Sequence, residues 1–581
     1  MDEREARAIN NMIQGKIKNL IEDALKNLEI EKVDFAVEHP EDFSHGDYST
    51  NVAMVCAKNL KTNPKELAEK IKNILESNLS DEIEKVEVAG AGFINFHLSR
   101  KFFSGSVEAI LNNKNFGSNE LLKGKTMMVE YTDPNPFKPF HIGHLMTNAI
   151  GESIARILYH SGADVKRANY QGDVGLHVAK AIYGIQKKGM PADMNAPLQE
   201  LAQYIGDSYV WGTSAYEDST EAKQDIDILN KKIYTREDDE VNQVYDWGFK
   251  VTMEAFEELY KILGTKFDFY FLESSMATVG EEIVKQNIAK VFEISDGAVV
   301  FKGENFDSKL HTRVFITSQG LPTYETKEIG LTLEKFKVLP EMDRSIVITA
   351  NEQADYMRVV AKALSVLHPE YENKMLHITH GMMRLTTGKM GSRKGNIITG
   401  ESLIRDTIAL IGEKMKDREW EEEMKSKVAE MVGVAAIKYS ILRSKAGSDI
   451  IYNVEESIST EGDSGPYLQY AYARAKSVLE KAQKENILPD PHVAGAEVSE
   501  VEKLLYRFGE VVYRSASLYE PHHIATYLVE LARAFNSYYG NTMIVDSKDS
   551  TSGYKVALTY AFSFVMKKGL HLLGIEAPEK M

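Results

Sequence analysis

TMMVEYTDPNPFKPFHIGHLMTNAIGESIARILYH, Thr126–His160, is the stretch on which the fold turns. Its first seven residues read as a short apolar strand and DPNPFKPF as a proline-rich connector. His144 to His160 then reads as a helix ended by Ser161-Gly162. ADVKRANYQGDVG, residues 163–175, resumes as a strand running into a glycine-bounded turn. Strand, loop, helix, strand is a mononucleotide-binding βαβ unit. Its chemistry sits in the loop. His141 and His144 flank Gly143 where the chain enters the helix, and free backbone N–H groups with the positive dipole end favour phosphate there. Gly143 lets a flat ring approach the backbone, and the imidazoles can donate hydrogen bonds to phosphoryl oxygens. On a blander reading, HxxH is two surface histidines or part of a zinc site. The zinc reading lacks a nearby cysteine and a third ligand. The strand, the prolines and Lys138 favour a nucleotide.

A second loop complements the first. Thr387–Asn396, TGKMGSRKGN, sets Lys389, Arg393 and Lys394 among glycines. Alone it reads as a solvated basic turn. Paired with HIGH on an α/β scaffold, it can fold its charges over a triphosphate and neutralise a departing pyrophosphate.

Outward from this core, residues 1–115 form a small α+β module: Ile13, Ile17, Leu20, Ile21, Ala24 and Leu25 recur at helical spacing, and Phe93–Leu98 reads as a strand. The Rossmann-like core spans 120–400, with further strands at Ala298–Lys302, Arg313–Thr317, Ser345–Ala350 and Lys374–Ile378. Within it, an acidic insertion at about 187–295 reads as solvated, with 16 acidic against 7 basic side chains in residues 187–258, and its Trp211, Tyr234 and Trp247 argue that it is folded. From about Gly400 every segment has helical period: a connector at 401–463, then a bundle at 464–581. The fold class is therefore multidomain α/β with an N-terminal α+β domain and a C-terminal all-α bundle.

Composition sets the outer limits. The 581 residues are ordinary for globular protein at 43% hydrophobic and 27% charged, which excludes disorder as a description of the whole chain. A single cysteine, Cys56, excludes a disulfide framework and a Cys-based zinc cluster, and suits the cytoplasm. MDEREARAIN is too charged for a signal peptide, and no apolar run has the length of a membrane span. The net charge of −17 by itself argues against a nucleic-acid partner, but −9 of it lies in 187–258. Residues 464–581 hold 13 basic and 13 acidic side chains, so basic patches can form there.

HIGH with a downstream KMSKS-like loop resembles the class I aminoacyl-tRNA synthetases, and the finer pattern is similar to arginyl-tRNA synthetases over nearly the whole chain. HGDYSTNVA and AGAGFINFHL resemble that family's added N-terminal domain, a tRNA-contacting module. VEYTDPNPFKPFHIGHL and NYQGDVG resemble its nucleotide core. FDFYFLESS, GLPTYETKEIG and Glu352-Gln353 resemble its amino-acid pocket, and SGPYLQYAYARAKSVL, IATYLVELARAFNSYY and GLHLLGIEAPEKM its anticodon-binding domain. The resemblance implies that His141, Gly143, His144, Asp173 and Gly175 contact ATP, with Lys389, Arg393 and Lys394 over its phosphates. Ser392 and Arg393 stand at the fourth and fifth KMSKS positions. In the family, loss of the second lysine accompanies a lysine just before HIGH. Lys138 sits there, so Lys138 or Lys394 stabilises the pentavalent phosphorus. Glu130 and Asn135 are implied at the α-amino end of arginine, with Gln353 nearby, and Glu273, Tyr324 and Glu328 around the guanidinium. Forked carboxylates and an aromatic face suit that planar cation. Position 328, usually Asp in the family, is Glu here.

In the bundle, Tyr467, Tyr470 and Tyr472 could stack on bases, although such spacing is more often core. Arg474 matches the family's tRNA-binding pattern, and His522-His523 reads as an exposed helix start. The implied reaction is ATP-dependent arginylation of tRNA(Arg) through an arginyl-adenylate, with His141, His144, Lys138 and Lys389 catalytic. Mg2+ accompanies ATP, no protein-held metal or zinc is expected, and the family leans monomeric. Two rivals differ in class: a class I synthetase for lysine, glutamine or cysteine, and a non-catalytic tRNA-binding paralogue. Intact HIGH, Lys138 and Lys389 weigh against the second.

Overall fold

The computed structural model describes residues 12–386, 398–495 and 497–581. The central sheet has five parallel strands, β1 Thr126–Glu130, β2 Asp164–Gln171, β3 Phe269–Leu272, β4 Arg344–Ala350 and β5 Met375–His380, in the order β5-β4-β1-β2-β3. Strand order reverses at β1, and open parallel sheets bind ligands in the crevice at that switch point, outside the carboxyl ends of the strands. Glu130 ends β1 opposite Ala168 of β2 and Val347 of β4, at the mouth of the crevice. Met127, Met128 and Val129 are buried on both faces, as in any covered parallel strand.

Helix α1, Ile142–His160, follows β1 and is buried on nearly every side. It begins two residues earlier than its periodicity predicts, because His141 serves as its N-cap. Ile154 and Leu158 of α1 share one apolar core with Leu468, Phe535 and Leu570 of the C-terminal bundle. Helices α2, Glu273–Gln286, and α3, Tyr324–Val338, lie beyond β3 and carry three of the residues expected in the amino-acid pocket. Between them, Glu293–Ser295, Ala298–Lys302 and Thr312–Ile316 form a separate antiparallel sheet.

Three sequence expectations need correcting. The acidic insertion, placed at about 187–295, extends too far: Phe269–Leu272 within it is an edge strand of the central sheet. The acidic part is folded. Its helices Leu198–Asp218, Thr220–Thr235 and Asp239–Ile262 enclose Ile205, Ile226, Leu229 and Ile233, while the charges occupy the outer faces. The region after Gly400 is not entirely helical, since Ile450–Tyr452 pairs in parallel with Met383–Leu385. Three residues are too few for periodicity to register. Finally, His522 and His523 are half-buried rather than exposed, each against Glu520.

The N-terminal domain packs Ile17, Ile21 and Ile71 against an antiparallel sheet that includes Tyr48–Thr50 and Phe93–Leu98. Two carboxylates of the bundle hold it. Glu502 takes Arg100 and Tyr554, and Glu510 takes His39 at 2.9 Å and Tyr48.

Helices α2 and α3 touch backbone to backbone. A Cβ on Gly280 would stand 2.0 Å from the Thr326 carbonyl oxygen, and one on Gly330 would stand 2.2 Å from that of Met276. Gly330→Ala should therefore cost about 1–3 kcal/mol in denaturant unfolding of the catalytic core. Gly412→Ala, in a helix with nothing within 4 Å of the new methyl, should stabilise by about 0.5–1 kcal/mol. Equal effects would refute the close crossing.

Candidate active site

The entrance to α1 is an exchange of backbone bonds between two histidines. The His141 Nδ1 accepts the His144 backbone N–H at 3.3 Å, and the His144 Nδ1 accepts the His141 backbone N–H at 3.2 Å. A nitrogen that accepts carries no proton, so both rings are Nε2–H tautomers. They stack at 3.4 Å between centroids, with Phe140 against His144 at 5.4 Å. Burial, then His141 and Lys138, holds the His144 pKa well below its ordinary value, so the ring stays neutral. The entrance thus offers two neutral N–H donors beside a helix N-terminus, a donor set suited to phosphate oxygens. Lys138 is half-buried with its ammonium 5.5 Å from the Tyr209 ring centroid, and burial lowers its pKa.

The helix after the second loop docks on this entrance. The Gly400 N–H donates to the Phe140 carbonyl at 2.8 Å, and a Cβ on Gly400 would stand 2.7 Å from the His141 carbonyl oxygen. On the other side of the loop, the Thr386 N–H donates to the Tyr452 carbonyl at 3.0 Å. Lys389, Arg393 and Lys394 themselves lie outside the described residues.

The turn after β2 behaves differently from its expectation. Asp173, expected at the nucleotide, is buried with both carboxylate oxygens engaged: Oδ1 accepts the Ser274 N–H at 2.9 Å, and Oδ2 accepts the Ser274 hydroxyl at 2.7 Å and the Tyr245 hydroxyl at 3.1 Å. It pins α2 to the turn instead of facing outward. Gly175, at φ +116°, opens the helix Leu176–Lys188 in a backbone region that side chains avoid, so its N–H face remains available to an anion.

The crevice itself gathers acids. Glu130 is buried and pairs with Lys335 of α3 at 2.6 Å; Lys335 is fully buried. Glu273 at the start of α2 pairs with Lys327 of α3 at 2.5 Å. Asn135 accepts the Gly172 N–H through Oδ1 at 3.1 Å, and a Cβ on Gly172 would meet both Asn135 and Glu273. Glu328 is buried, and burial raises its carboxyl pKa to about 7, with Lys335 opposing and Glu130 reinforcing the shift. Burial and the carboxylates of Glu273, Glu328 and Glu130 drive the Tyr170 hydroxyl pKa well up.

Among the described residues, several buried polar atoms here have no hydrogen-bond partner: Glu328 Oε1, the Tyr170 hydroxyl and both ends of Gln171. Buried polar groups are normally satisfied, so a cluster of orphans at strand ends fits a polar ligand. Tyr324 and Gln353 are not drawn into it. Tyr324 is 72% exposed with Lys327 over its ring, and Gln353 is exposed with Oε1 accepting from Tyr356 at 3.2 Å. Sequence reasoning missed Lys327, Lys335, Tyr170 and Gln171. The last two lie within the quoted NYQGDVG, and Lys335 stands two turns after Glu328 on the same helix.

In the bundle, the Tyr467 hydroxyl accepts from Asn536 at 3.0 Å, and Arg474 donates to the same Asn536 at 2.5 Å. Tyr467 thus serves the packing, while Arg474 lies between the Tyr470 and Tyr539 rings, at 4.9 and 5.1 Å. They line a groove of about 660 Å³ with Trp420, Lys481 and Met581. Among the described residues, Glu520, His522 and His523 bring one possible metal-donor atom each within 4.8 Å of one another, and Lys445 already holds Glu520 at 2.9 Å.

His177, whose Nε2 donates to the Gly172 carbonyl at 2.8 Å, has its pKa lowered to about 4 by burial. An unfolded histidine takes up a proton as pH falls through its ordinary value of 6.5, whereas this one stays neutral. Its contribution to stability is therefore lost as pH falls, on the order of 1–2 kcal/mol by pH 5. The thermal midpoint should drop between pH 7 and pH 5, and His177→Asn should flatten part of that slope. A midpoint that holds or rises would mean that these rings are protonated in the fold.

Comparisons with known proteins agree with this geometry. The family model for tRNA synthetases class I (R), catalytic domain, matches residues 106–454, that for the DALR anticodon binding domain matches 468–581, and that for the arginyl tRNA synthetase N terminal domain matches 15–98. The arginine–tRNA ligase of Fusobacterium nucleatum is 32% identical over 589 residues, 99% of each chain. That of Clostridium perfringens is 30% identical over 585 residues, 97% of this chain and 100% of the relative. A solved Thermus thermophilus arginyl-tRNA synthetase shares the fold, with a TM-score of 0.80 at 24% identity over 98% of this chain and 100% of that one. With the catalytic model over more than half its length and such relatives over nearly all of it, the chain belongs to the arginyl-tRNA synthetase family.

Proposed function

We propose that the crevice and the adjoining helix entrance divide the family's reaction between them, arginine in the first and ATP at the second. The chain joins L-arginine to tRNA(Arg) for translation, with ATP as co-substrate. The observation that carries the division is the acid-rich crevice at the end of β1, where buried Glu328 has an unpartnered Oε1, one loop away from two histidine Nε2–H donors.

In this reading Glu130 and Asn135 hold the α-amino end of arginine, with Gln353 at the rim. Glu273 and Glu328 receive the guanidinium, and Tyr324 covers it from outside. The arginine carboxylate attacks the α-phosphorus in line, forming arginyl-adenylate and expelling pyrophosphate. That nucleophile is already ionised, so no general base is required, and catalysis is positioning and charge stabilisation. His141 and His144 donate to phosphoryl oxygens, Gly143 and Gly175 give backbone access, and Lys138 neutralises the pentavalent phosphorus. Lys389, Arg393 and Lys394 serve the departing phosphates. Mg2+, held by the phosphates of ATP, supplies further neutralisation when bound. The 2′-hydroxyl of the terminal adenosine of the tRNA then attacks the adenylate. Arg474, between its two tyrosines, supports tRNA binding by the bundle. The protein works as a cytoplasmic monomer built of an N-terminal tRNA-contacting domain, a catalytic core, a connector and an anticodon-binding bundle. No helix among the described residues is long and apolar enough to cross a membrane.

Incubation with arginine, ATP and tRNA(Arg) should give arginyl-tRNA, AMP and pyrophosphate. Lys138→Ala should slow adenylate formation about 10²–10³-fold, the usual effect of deleting one transition-state donor, while tRNA affinity stays within about twofold. Unchanged turnover, together with a loss of that size in Lys394→Ala, would transfer the role to Lys394.

A further inference from the structure

The crevice holds more acid than its own cations can balance. Glu130, Asp133, Glu273 and Glu328 are set against Lys327 and Lys335. Two pairs close, Lys327 with Glu273 at 2.5 Å and Lys335 with Glu130 at 2.6 Å. Among the described residues, Glu328 and Asp133 have no cation of their own, although Asp133 accepts the Tyr170 N–H at 2.7 Å. Buried Glu328 interacts electrostatically with Lys335 on its own helix, Glu130 from β1, Asp133 from the loop after β1, Tyr170 from β2 and Tyr356 from the helix Ala354–Leu367. Lys335 is the sole cation among these groups, and it is already paired.

A buried carboxylate in that position holds a proton to higher pH than a solvated one, and a second positive charge arriving beside it displaces that proton. We infer that arginine enters this crevice in exchange for one proton, released from Glu328, and that Lys335 is the positioning residue that sets the pH at which the exchange occurs. This rests on the placement of arginine proposed above. Arginine as a zwitterion carries one net positive charge. Its guanidinium replaces the proton on Glu328, one charge for one, and the proton leaves to buffer. Burial and Glu130 raise the Glu328 carboxyl to about 7 and Lys335 holds it from going higher, while burial and Glu130 raise Asp133 well above its ordinary range. Arginine affinity should therefore be flat above pH 8 and fall as the pH drops below 7, approaching tenfold per unit.

The test is calorimetric titration of the full chain with L-arginine at pH 6.0 and pH 8.0, in phosphate and in imidazole buffers, whose ionisation heats differ. The expected release is close to one proton at pH 6.0 and close to none at pH 8.0. Glu328→Gln should bind more weakly, without buffer dependence at either pH. Lys335→Met should move the midpoint of release up by a unit or more, a shift that a merely structural role for the lysine would not produce. Should Lys335→Met not fold, Glu328→Gln alone decides. Arginine binding that releases no proton at pH 6.0, or equal release in Glu328→Gln, would overturn the inference and leave the proposed function standing. Absence of arginine binding would overturn both.

Discussion

Glu152, buried in the middle of α1, is the interaction on which the rest of the molecule depends. Its carboxylate takes the Tyr131 hydroxyl at 2.5 Å, Arg156 at 2.6 Å and Arg167 at 3.1 Å. Tyr131 directly follows Glu130, and Arg167 lies on β2, so one side chain fixes the exit of β1 against its neighbour. Arg156 continues outward to the Gly264 carbonyl at 2.7 Å and the His571 carbonyl at 3.0 Å, joining the end of the insertion to the last helix of the bundle. The two guanidiniums outweigh the burial that would otherwise protonate Glu152, and its pKa is lowered. Removing one member of such a buried network typically costs about 3–5 kcal/mol, because the remaining charge stays buried and unpaired.

The same helix explains how distant parts share one geometry. Ser153 donates to the Leu572 carbonyl at 2.8 Å, and Lys438, fully buried, donates to the carbonyls of Leu263 and Gly574 at 2.5 and 2.8 Å. Backbone carbonyls at the end of the last helix are thus satisfied by side chains of the catalytic core and connector rather than by water. Any shift of the bundle must move α1, and α1 begins at His141. The site for small substrates and the domain that meets the tRNA are therefore mechanically continuous.

Legibility in the sequence followed physical range. Local signals were clear: the apolar β1, the proline-rich loop and the HIGH helix are contiguous, and Phe93–Leu98 is the observed strand. The start of α1 was misplaced because histidine is not among the usual capping residues, and only the structure reveals the reciprocal Nδ1 bonds. Phe269–Leu272 was hidden because four residues beside a long acidic helical stretch carry no period. Lys335 was invisible for another reason. A lysine on an amphipathic helix normally faces water, and only the tertiary position of Glu130 shows that this one is buried. Asp173 looked like a ligand residue by motif, whereas its bonds to Ser274 and Tyr245 depend on contacts about 70 to 100 residues away.

The central claim is that the excess of buried acid in the crevice at the end of β1, with Glu328 unpaired among the described residues, selects a cation. Citrulline matches arginine in shape but carries no charge on its side chain, and a buried acid left unpaired discriminates strongly against it. The most direct measurement compares kcat/KM for arginine and citrulline in ATP–pyrophosphate exchange, with tRNA(Arg) present. The account expects citrulline to be at least about 10³-fold poorer. Comparable turnover of the two would contradict it.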